Sequence, residues 1–177
     1  MVYNGKPTRE WLSKEDSMFP MASNEGIFLQ AKIDAYENRD IMVNDVPNTF
    51  IQSLIELKPG QERVIMTIVG ILVDIPVEKN PARYKDYVVY ENGKKVLYVE
   101  LLKALYGMLS ASLMLYKKFR KDLEDYGFTF NDYDPCVVNK VVNGKMLTIR
   151  YHVDDIMSSH VDSKVNDEFL MWLNKMY

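Results

Sequence analysis

The sequence has 177 residues, a hydrophobic share of 47%, a charged share of 27% and a net charge of −3 at neutral pH. This composition excludes a disordered tail and a low-complexity chain rich in Gly and Pro, and it predicts one globular unit with a sizeable core. The slight acidity argues against a protein that works mainly by coating phosphate backbones, but an enzyme that holds metal-bound phosphates needs carboxylates at its centre.

Cysteine usage and the apolar runs bound the setting of the protein. A lone Cys136 forms no internal disulfide, and with only two His in the chain a structural zinc site is not expected. No apolar run approaches the roughly 18 residues that a membrane span needs, and the first residues lack the apolar core of a signal peptide. These features predict an intracellular protein that is not secreted, with Cys136 as a small buried residue.

The first predicted elements are an arm, a helix and a strand. Residues 1–22 have no clean period and predict an irregular arm. Ser23 resembles a helix N-cap, and the apolar spacing that follows predicts a helix to about Asn38. Ile41 to Asp45 predicts a short buried strand that ends in a carboxylate. The apolar face expected for the helix consists of Ile27, Phe28, Ala31 and Ala35.

The middle of the chain predicts strands and hairpins. Glu62 to Val69 is rich in β-branched residues and reads as a strand, whereas residues 69–84 combine helical spacing with two prolines and predict a broken helix. Two Asn-Gly pairs predict hairpins with type I′ turns. The strands expected on either side of these turns are Tyr87–Tyr90 with Lys94–Leu101, and Cys136–Val142 with Lys145–Val153.

Two further helices complete the predicted fold. Apolar residues recur at steps of three and four from about 110 to 126, where Gly127 follows as a stop signal. Lys164 to Met176 has a second apolar face, capped by Asp162 or Ser163. Helices laid against antiparallel hairpins predict an α+β two-layer sandwich, in which the sheet is backed by the helices near 23–38 and 110–126.

Two adjacent carboxylates, Asp154 and Asp155, mark the most informative segment. They follow one apolar strand and precede another, Ile156 to Ser159. Adjacent carboxylates repel each other, but a hard divalent cation such as Mg²⁺ uses one or two of them together with substrate phosphates. Asp45 ends another apolar strand and would supply a third carboxylate if the strands are neighbours. A solvated turn without a metal is the alternative reading of the same residues.

Several motifs resemble the reverse transcriptases of copia-type long-terminal-repeat retrotransposons. The first catalytic motif of that family, D-V/I-P-x-A-F, is matched by Asp45 to Phe50 (DVPNTF). Its L-Y-G-(L/M) motif is matched by Leu105 to Met108, and its Y/F-x-D-D box by His152 to Asp155 (HVDD). The order and separations of the motifs agree with the family, and the resemblance covers essentially the whole chain.

The resemblance implies an RNA-directed DNA polymerase, a nucleotidyltransferase with a palm-like fold. Its cofactors would be two Mg²⁺ or Mn²⁺ ions, with Asp45 and Asp154 bridging the metals and Asp155 as a weaker or second ligand. Phe50 would lie under the incoming sugar and exclude a 2′-hydroxyl, although a plain core aromatic is the alternative for this residue. Ser110 would lie at the nucleotide-binding position that holds Gln in many copia-type enzymes.

The resemblance also implies the extent and partners of the protein. Residues 1–177 would form a single partial reverse transcriptase domain, with a fingers-side arm over 1–22 and a palm-like core over 23–177. The family's basic fingers strand would precede Met1, and its thumb and ribonuclease H regions would follow Tyr177, so a longer polyprotein is expected. The partners would be an RNA or DNA template-primer and a deoxynucleoside triphosphate, with no membrane, in the cytoplasm (within virus-like particles) or the nucleus.

The sequence departs from the family pattern at His152, which replaces the aromatic residue of the Asp-Asp box, and at Ser110, which replaces the Gln. Ser110, the absence of the fingers and thumb regions from this sequence and the acidic net charge favour a second reading. The alternative is a catalytically inactive palm remnant or a protein-interaction fragment.

Overall fold

The computed structural model describes residues 20–46, 49–56, 60 and 63–177. The arm predicted over 1–22 therefore lies outside the described residues except for its last three. The chain divides into two compact units: the first combines the described residues up to Ser53 with Leu105–Tyr177, and the second is Leu54–Ala104. The prediction of a single domain over 1–177 stays a prediction.

Five helices and eight strands form the regular structure of the described chain. The helices are α1 Asn24–Glu37, α2 Asp74–Lys79, α3 Pro81–Tyr84, α4 Ala111–Asp125 and α5 Ser163–Met176. The strands are β1 Asp40–Asp45, β2 Ile65–Val69, β3 Val89–Glu91, β4 Lys94–Glu100, β5 Thr129–Phe130, β6 Val137–Val142, β7 Lys145–His152 and β8 Asp155–His160. Short 3₁₀ turns lie at Thr49–Gln52, Gly70–Val73 and Lys85–Tyr87.

The first unit is built on a five-stranded antiparallel sheet in the order β1-β8-β7-β6-β5. Alternation along β7 sends Leu147, Ile149 and Tyr151 to one face, where all three are buried. Helices α4 and α5 cover this face, and the ring of Phe119 meets that of Tyr151 edge-on at 4.9 Å. Phe169 is also fully buried in the same core. The chain is therefore a mixed α+β protein with antiparallel sheets, as predicted.

Helix ends follow the predicted signals. The Oγ of Ser23 accepts a hydrogen bond from the Gly26 N–H at 3.0 Å, so Ser23 caps α1. Asp162, and not Ser163, caps α5 by accepting from the Lys164 N–H. Gly127 has a φ of +94° after α4. Such a left-handed residue closes a helix with little strain only when it lacks a Cβ, which explains why the helix stops there.

Both predicted Asn-Gly hairpins are confirmed. Asn143 and Gly144 have φ values of +51° and +74° between β6 and β7, and the pair between β3 and β4 has nearly the same values. Two successive positive φ angles are the mark of a type I′ turn, whose twist matches that of the strands on either side.

The second unit is a three-stranded antiparallel sheet in the order β2-β4-β3. Ile68, Val73 and Leu97 form its small buried core. The broken helix predicted over 69–84 is confirmed, because a 3₁₀ turn and two short helices occupy this stretch. The strand predicted to begin at Glu62 begins instead at Ile65, and Glu62 itself lies outside the described residues.

The predicted apolar face of α1 is wrong, although the helix itself is confirmed. Phe28 is 75% exposed, whereas Gln30 and Asp34 are buried. The prediction failed because the sheet offers α1 polar partners instead of an apolar surface. Ala31 and Ala35 are exposed as well, and only Ile27 of the predicted face is partly buried.

A buried polar cluster joins α1 to β7 and β8. The Oδ1 of Asp34 accepts hydrogen bonds from Gln30 Nε2 at 2.7 Å and from Ser159 Oγ at 2.5 Å. Arg39, whose side chain is only 4% exposed, donates to Thr148 Oγ1 at 3.1 Å and lies 3.9 Å from Asp34. Ile156 of β8 faces the α4–α5 side of the sheet together with the core residues of β7. Ser159 is three residues farther along the same strand, so its side chain faces the other side. Helix α1 therefore lies on the opposite face.

The prediction that β1 is buried is also wrong. The strand is at the edge of the sheet and pairs only with β8, and Ile41 and Val43 are 50% and 72% exposed. Its sequence alternates between the two faces of the sheet, and these two apolar side chains lie on the face opposite α4 and α5.

Cys136 is fully buried, as predicted, and its thiol donates to the Pro20 carbonyl at 3.1 Å. Burial raises the pKa of this thiol to about 12, because a thiolate would lose its hydration. Cys136 is therefore a neutral core residue and not a nucleophile.

Candidate functional site

The pairing of β1 with β8 brings the three predicted aspartates to one end of the sheet. Asp45 and Asp155 are directly opposite each other in the antiparallel register. The N–H of Val46 donates to the carbonyl oxygen of Asp154 at 3.1 Å, so the residue after β1 is bonded to the β7–β8 turn. Side chains directly opposite in such a pair have Cβ atoms about 5 Å apart. The strands are thus neighbours, which is the condition that the sequence left open.

The three carboxylates lie at the surface. Asp45 and Asp155 are exposed and Asp154 is partly exposed. Within the described chain, none of the three side chains forms an ion pair or a hydrogen bond. No three His, Cys, Asp or Glu side chains among the described residues are arranged so that they could hold a metal ion. The sheet therefore brings the backbones of the three aspartates together, but their carboxylate oxygens do not converge on one point. The metal-ligand roles of Asp45, Asp154 and Asp155 stay predictions.

The β7–β8 turn contains a strained residue. Val153 and Asp154 form the two-residue loop between His152 and Asp155, and Val153 has a φ of +57°. A β-branched side chain rarely adopts this left-handed region, and the strain is of the order of 1–2 kcal/mol. Strain of this kind persists where the surrounding structure holds it, and it clusters at functional sites. Here the backbone bond from Val46 and the pairing of β8 with two strands hold the turn.

Relief of this strain is measurable. We expect Val153→Asn to change the free energy of unfolding by less than about 0.5 kcal/mol, because Asn tolerates a positive φ and offsets the lost apolar contact. Val142 is the matched control, since it is also a partly buried valine at the margin of the same core, but in an extended strand. Val142→Asn should lower the unfolding free energy by about 1–2 kcal/mol in urea titrations. Equal losses in the two variants would contradict a strained turn.

Phe50 and Ser110 are the two residues for which the resemblance predicted a nucleotide-binding role. Phe50 is partly buried in the Thr49–Gln52 turn, and its ring meets that of Tyr106 edge-on at 4.5 Å. Ser110 directly precedes α4 and makes no side-chain cap to the helix. The edge contact joins the first motif to the L-Y-G-M segment, while Pro47 and Asn48 lie outside the described residues. The nucleotide-binding roles of Phe50 and Ser110 stay predictions.

Asp45 and Asp155 lie on the open face of the sheet, which we define as the face opposite α4 and α5; helix α1 lies on this face at the far end, near Ser159. His152, Asp155 and Asp45 form one row across β7, β8 and β1 on this face. The next row toward α1 consists of Arg150, Met157 and Val43. The sequence analysis overlooked Arg150. The alternation of β7 could have found it, because Arg150 lies two residues before His152 and two residues in a strand share a face.

Two surface depressions lie elsewhere in the first unit. The larger of these two has a volume of about 420 Å³ and is lined by residues of β5, β6 and the loop after β5, with Phe130, Asn139 and Lys140 among them. None of the predicted site residues lines either depression.

None of the helices in the described ranges is long and apolar enough to span a membrane. Comparisons of the chain with protein-family models, with curated proteins and with solved structures found no match.

Proposed function

We propose that the chain carries the palm site of an RNA-directed DNA polymerase of the copia type, which transfers a nucleotide to a primer 3′-hydroxyl. The observation that carries this proposal is the register in which Asp45 lies opposite Asp155, with Asp154 bonded to the same strand end. Residues 110 positions apart in the sequence thus meet at the point where the motifs predicted a common site. The motif resemblance supplies the identity of the reaction.

The donor chemistry at this strand end fits Mg²⁺ or Mn²⁺. All three side chains are carboxylates, which are the hard oxygen ligands that these cations prefer, and Mg²⁺ uses few protein ligands where substrate phosphates complete its coordination. When bound, the cations would lower the pKa of the primer hydroxyl and neutralise the leaving pyrophosphate. Asp45 and Asp154 would bridge them, with Asp155 as a further ligand.

The aromatic pair beside the site would position the incoming nucleotide. Tyr106 supports the ring of Phe50 from one side, so a sugar resting on Phe50 would meet a surface held in place. A rigid ring at this position would exclude a ribose by contact with its 2′-hydroxyl. Ser110 lies at the start of α4 with a hydroxyl that does not cap the helix, and it would contact the nucleotide in place of the family's Gln.

A second function has its own support. Phe28, Leu29 and Tyr36 are 75%, 61% and 90% exposed on α1. Leu29 and Tyr36 are seven residues apart and therefore lie on one face of the helix, and a contiguous exposed apolar patch marks a surface that another protein covers. An inactive palm remnant that acts as a protein-interaction fragment would use this helix and would leave the carboxylates without a role.

Primer extension and metal binding separate the two functions. The chain would be assayed alone and joined to the polyprotein regions that flank it, with an oligo(dT) primer on a poly(rA) template and either Mg²⁺ or Mn²⁺. We expect weak Mn²⁺ binding by electron paramagnetic resonance in the isolated chain, because part of the coordination comes from the triphosphate. We expect primer extension from the joined form. Absence of extension with both metals in both forms would favour the interaction fragment.

A further inference from the structure

Arg150 is a cation on the open face of the sheet, one row from the carboxylates. It is partly exposed, and its cross-strand partner is Met157. The guanidinium donates to the Met157 Sδ at 3.4 Å, which is a weak acceptor. Among the described residues, no carboxylate lies within ion-pair distance of Arg150. A planar group with five donors is thus left with a single thioether partner.

Three other cations among the described residues of the first unit lie in ion pairs. Arg39 lies 3.9 Å from Asp34 and 2.8 Å from Glu37, on the side of the sheet where α1 packs. Lys118 pairs with Asp122 at 2.6 Å and Arg120 pairs with Glu124 at 3.0 Å, in both cases one turn along α4 on the opposite side. Arg150 differs from all three in its lack of a carboxylate partner.

The position of Arg150 relative to the carboxylates suggests which anion it meets. Asp155 is its diagonal neighbour, at a typical separation of about 7–8 Å between the two positions, and the two side chains form no ion pair in the structure. The two rows are about 7 Å apart along the strands, which is the distance that about two nucleotides span along a duplex axis. A strand whose 3′ end lies at the carboxylates and that runs across the next row would carry a preceding phosphate to Arg150. Arg matches phosphate geometry with two parallel N–H donors.

We infer that Arg150 binds a backbone phosphate of the nucleic-acid strand that ends at Asp45, Asp154 and Asp155. This inference rests on the function proposed above and adds a residue to it that the motifs do not contain. The partner is a nucleic-acid duplex, and the contact is independent of base sequence because phosphates carry no sequence information.

The test is the salt dependence of duplex binding by the chain. The probe is a fluorescein-labelled 20-base-pair RNA–DNA hybrid in EDTA, followed by anisotropy between 50 and 300 mM KCl. Arg150→Met keeps the apolar stem and removes the charge. It should weaken binding about five- to tenfold at 100 mM KCl and should lower the slope of log K against log[KCl] by about one. Arg150→Lys should restore most of the slope.

Lys145→Met is the matched control, because Lys145 is exposed on the same strand but at its far end. Its removal should leave the slope unchanged. Equal effects of the two Met variants would overturn the inference, as would an unchanged affinity in Arg150→Met or no binding of the hybrid by the wild-type chain. If Arg150→Met weakens only the binding of free deoxythymidine triphosphate and not that of the hybrid, the phosphate belongs to the nucleotide and not to the strand. This result also overturns the inference.

The outcome is separable from the fate of the proposed reaction. If Arg150→Met weakens hybrid binding as expected and the joined form never extends a primer, the phosphate contact stands and the polymerase proposal falls. If extension depends on Asp154 while Arg150→Met binds the hybrid like the wild type, the phosphate contact alone falls.

Discussion

Replacement of Asp154 by Asn should reduce RNA-templated primer extension by about a thousandfold or more, which corresponds to about 4 kcal/mol of transition-state stabilisation. The amide keeps the shape of the side chain and removes the charge that a divalent cation needs. The change should be confined to catalysis, because Asp154 is partly exposed in a turn whose backbone hydrogen bond to Val46 does not involve the side chain.

Stability measurements on the same variant make the result interpretable. Asp154→Asn should unfold at the same urea concentration as the wild type or slightly above it, since one of several neighbouring carboxylates no longer repels the others. Asp167→Asn is the control for the loss of one negative charge, because Asp167 is exposed on α5. It should extend primers normally. If Asp154→Asn extends primers as well as the wild type does, the three aspartates are not the metal site.

Removal of Asp34 should have the largest effect on stability among single changes in α1. Asp34→Ala leaves the Ser159 hydroxyl without its acceptor and removes one of the two acceptors of Gln30. It also leaves the Arg39 guanidinium buried with only Glu37 as an ionic partner. We expect a loss of about 3 kcal/mol in the free energy of unfolding, because buried donors that lose their acceptor keep their full desolvation penalty. Urea titration followed by circular dichroism would measure it.

A double variant tests whether the loss of stability comes from the buried Arg39 guanidinium that Asp34→Ala leaves without its partner. Asp34→Leu combined with Arg39→Met removes both members of the ion pair and fills similar volumes. It should be more stable than Asp34→Ala, because a buried pair replaced by apolar groups is often nearly neutral whereas a broken pair is not. Asp167→Ala should change stability by less than about 0.5 kcal/mol. A double variant at least as unstable as Asp34→Ala would show that the helix, and not the ion pair, is the source of the loss.

The sequence predicted those features that local chemistry determines. The two Asn-Gly turns adopt the expected geometry because Asn and Gly tolerate positive φ angles, and α4 ends before Gly127 for the same reason. The strand ends at Asp45 and Asp155 were also predictable, since each follows or precedes an apolar run. Their direct opposition depends on the register of distant strands, which the motifs suggested and periodicity alone did not.

The errors arise where a distant segment decides the environment. Gln30 and Asp34 are buried because Ser159, far along the chain, presents its hydroxyl to both of them, and nothing within the helix sequence indicates this. Ile41 and Val43 are exposed because β1 is at the edge of its sheet, a property of strand order and not of composition. The left-handed Val153 was not predicted, because a β-branched residue is among the last that local preference would assign to such a turn.

The distance in sequence between β1 and β8 also governs when the first unit can form during synthesis. Asp34 and Ser159 are hydrogen-bonded although 125 residues separate them. At 5–20 residues per second, the earlier residue leaves the ribosome roughly 6–25 s before the later one. Throughout that interval β1 has no partner strand, and its unpaired backbone N–H and C=O groups favour chaperone capture or aggregation. The second unit has all its strands between residues 65 and 100, so it can fold while the ribosome is still completing the first.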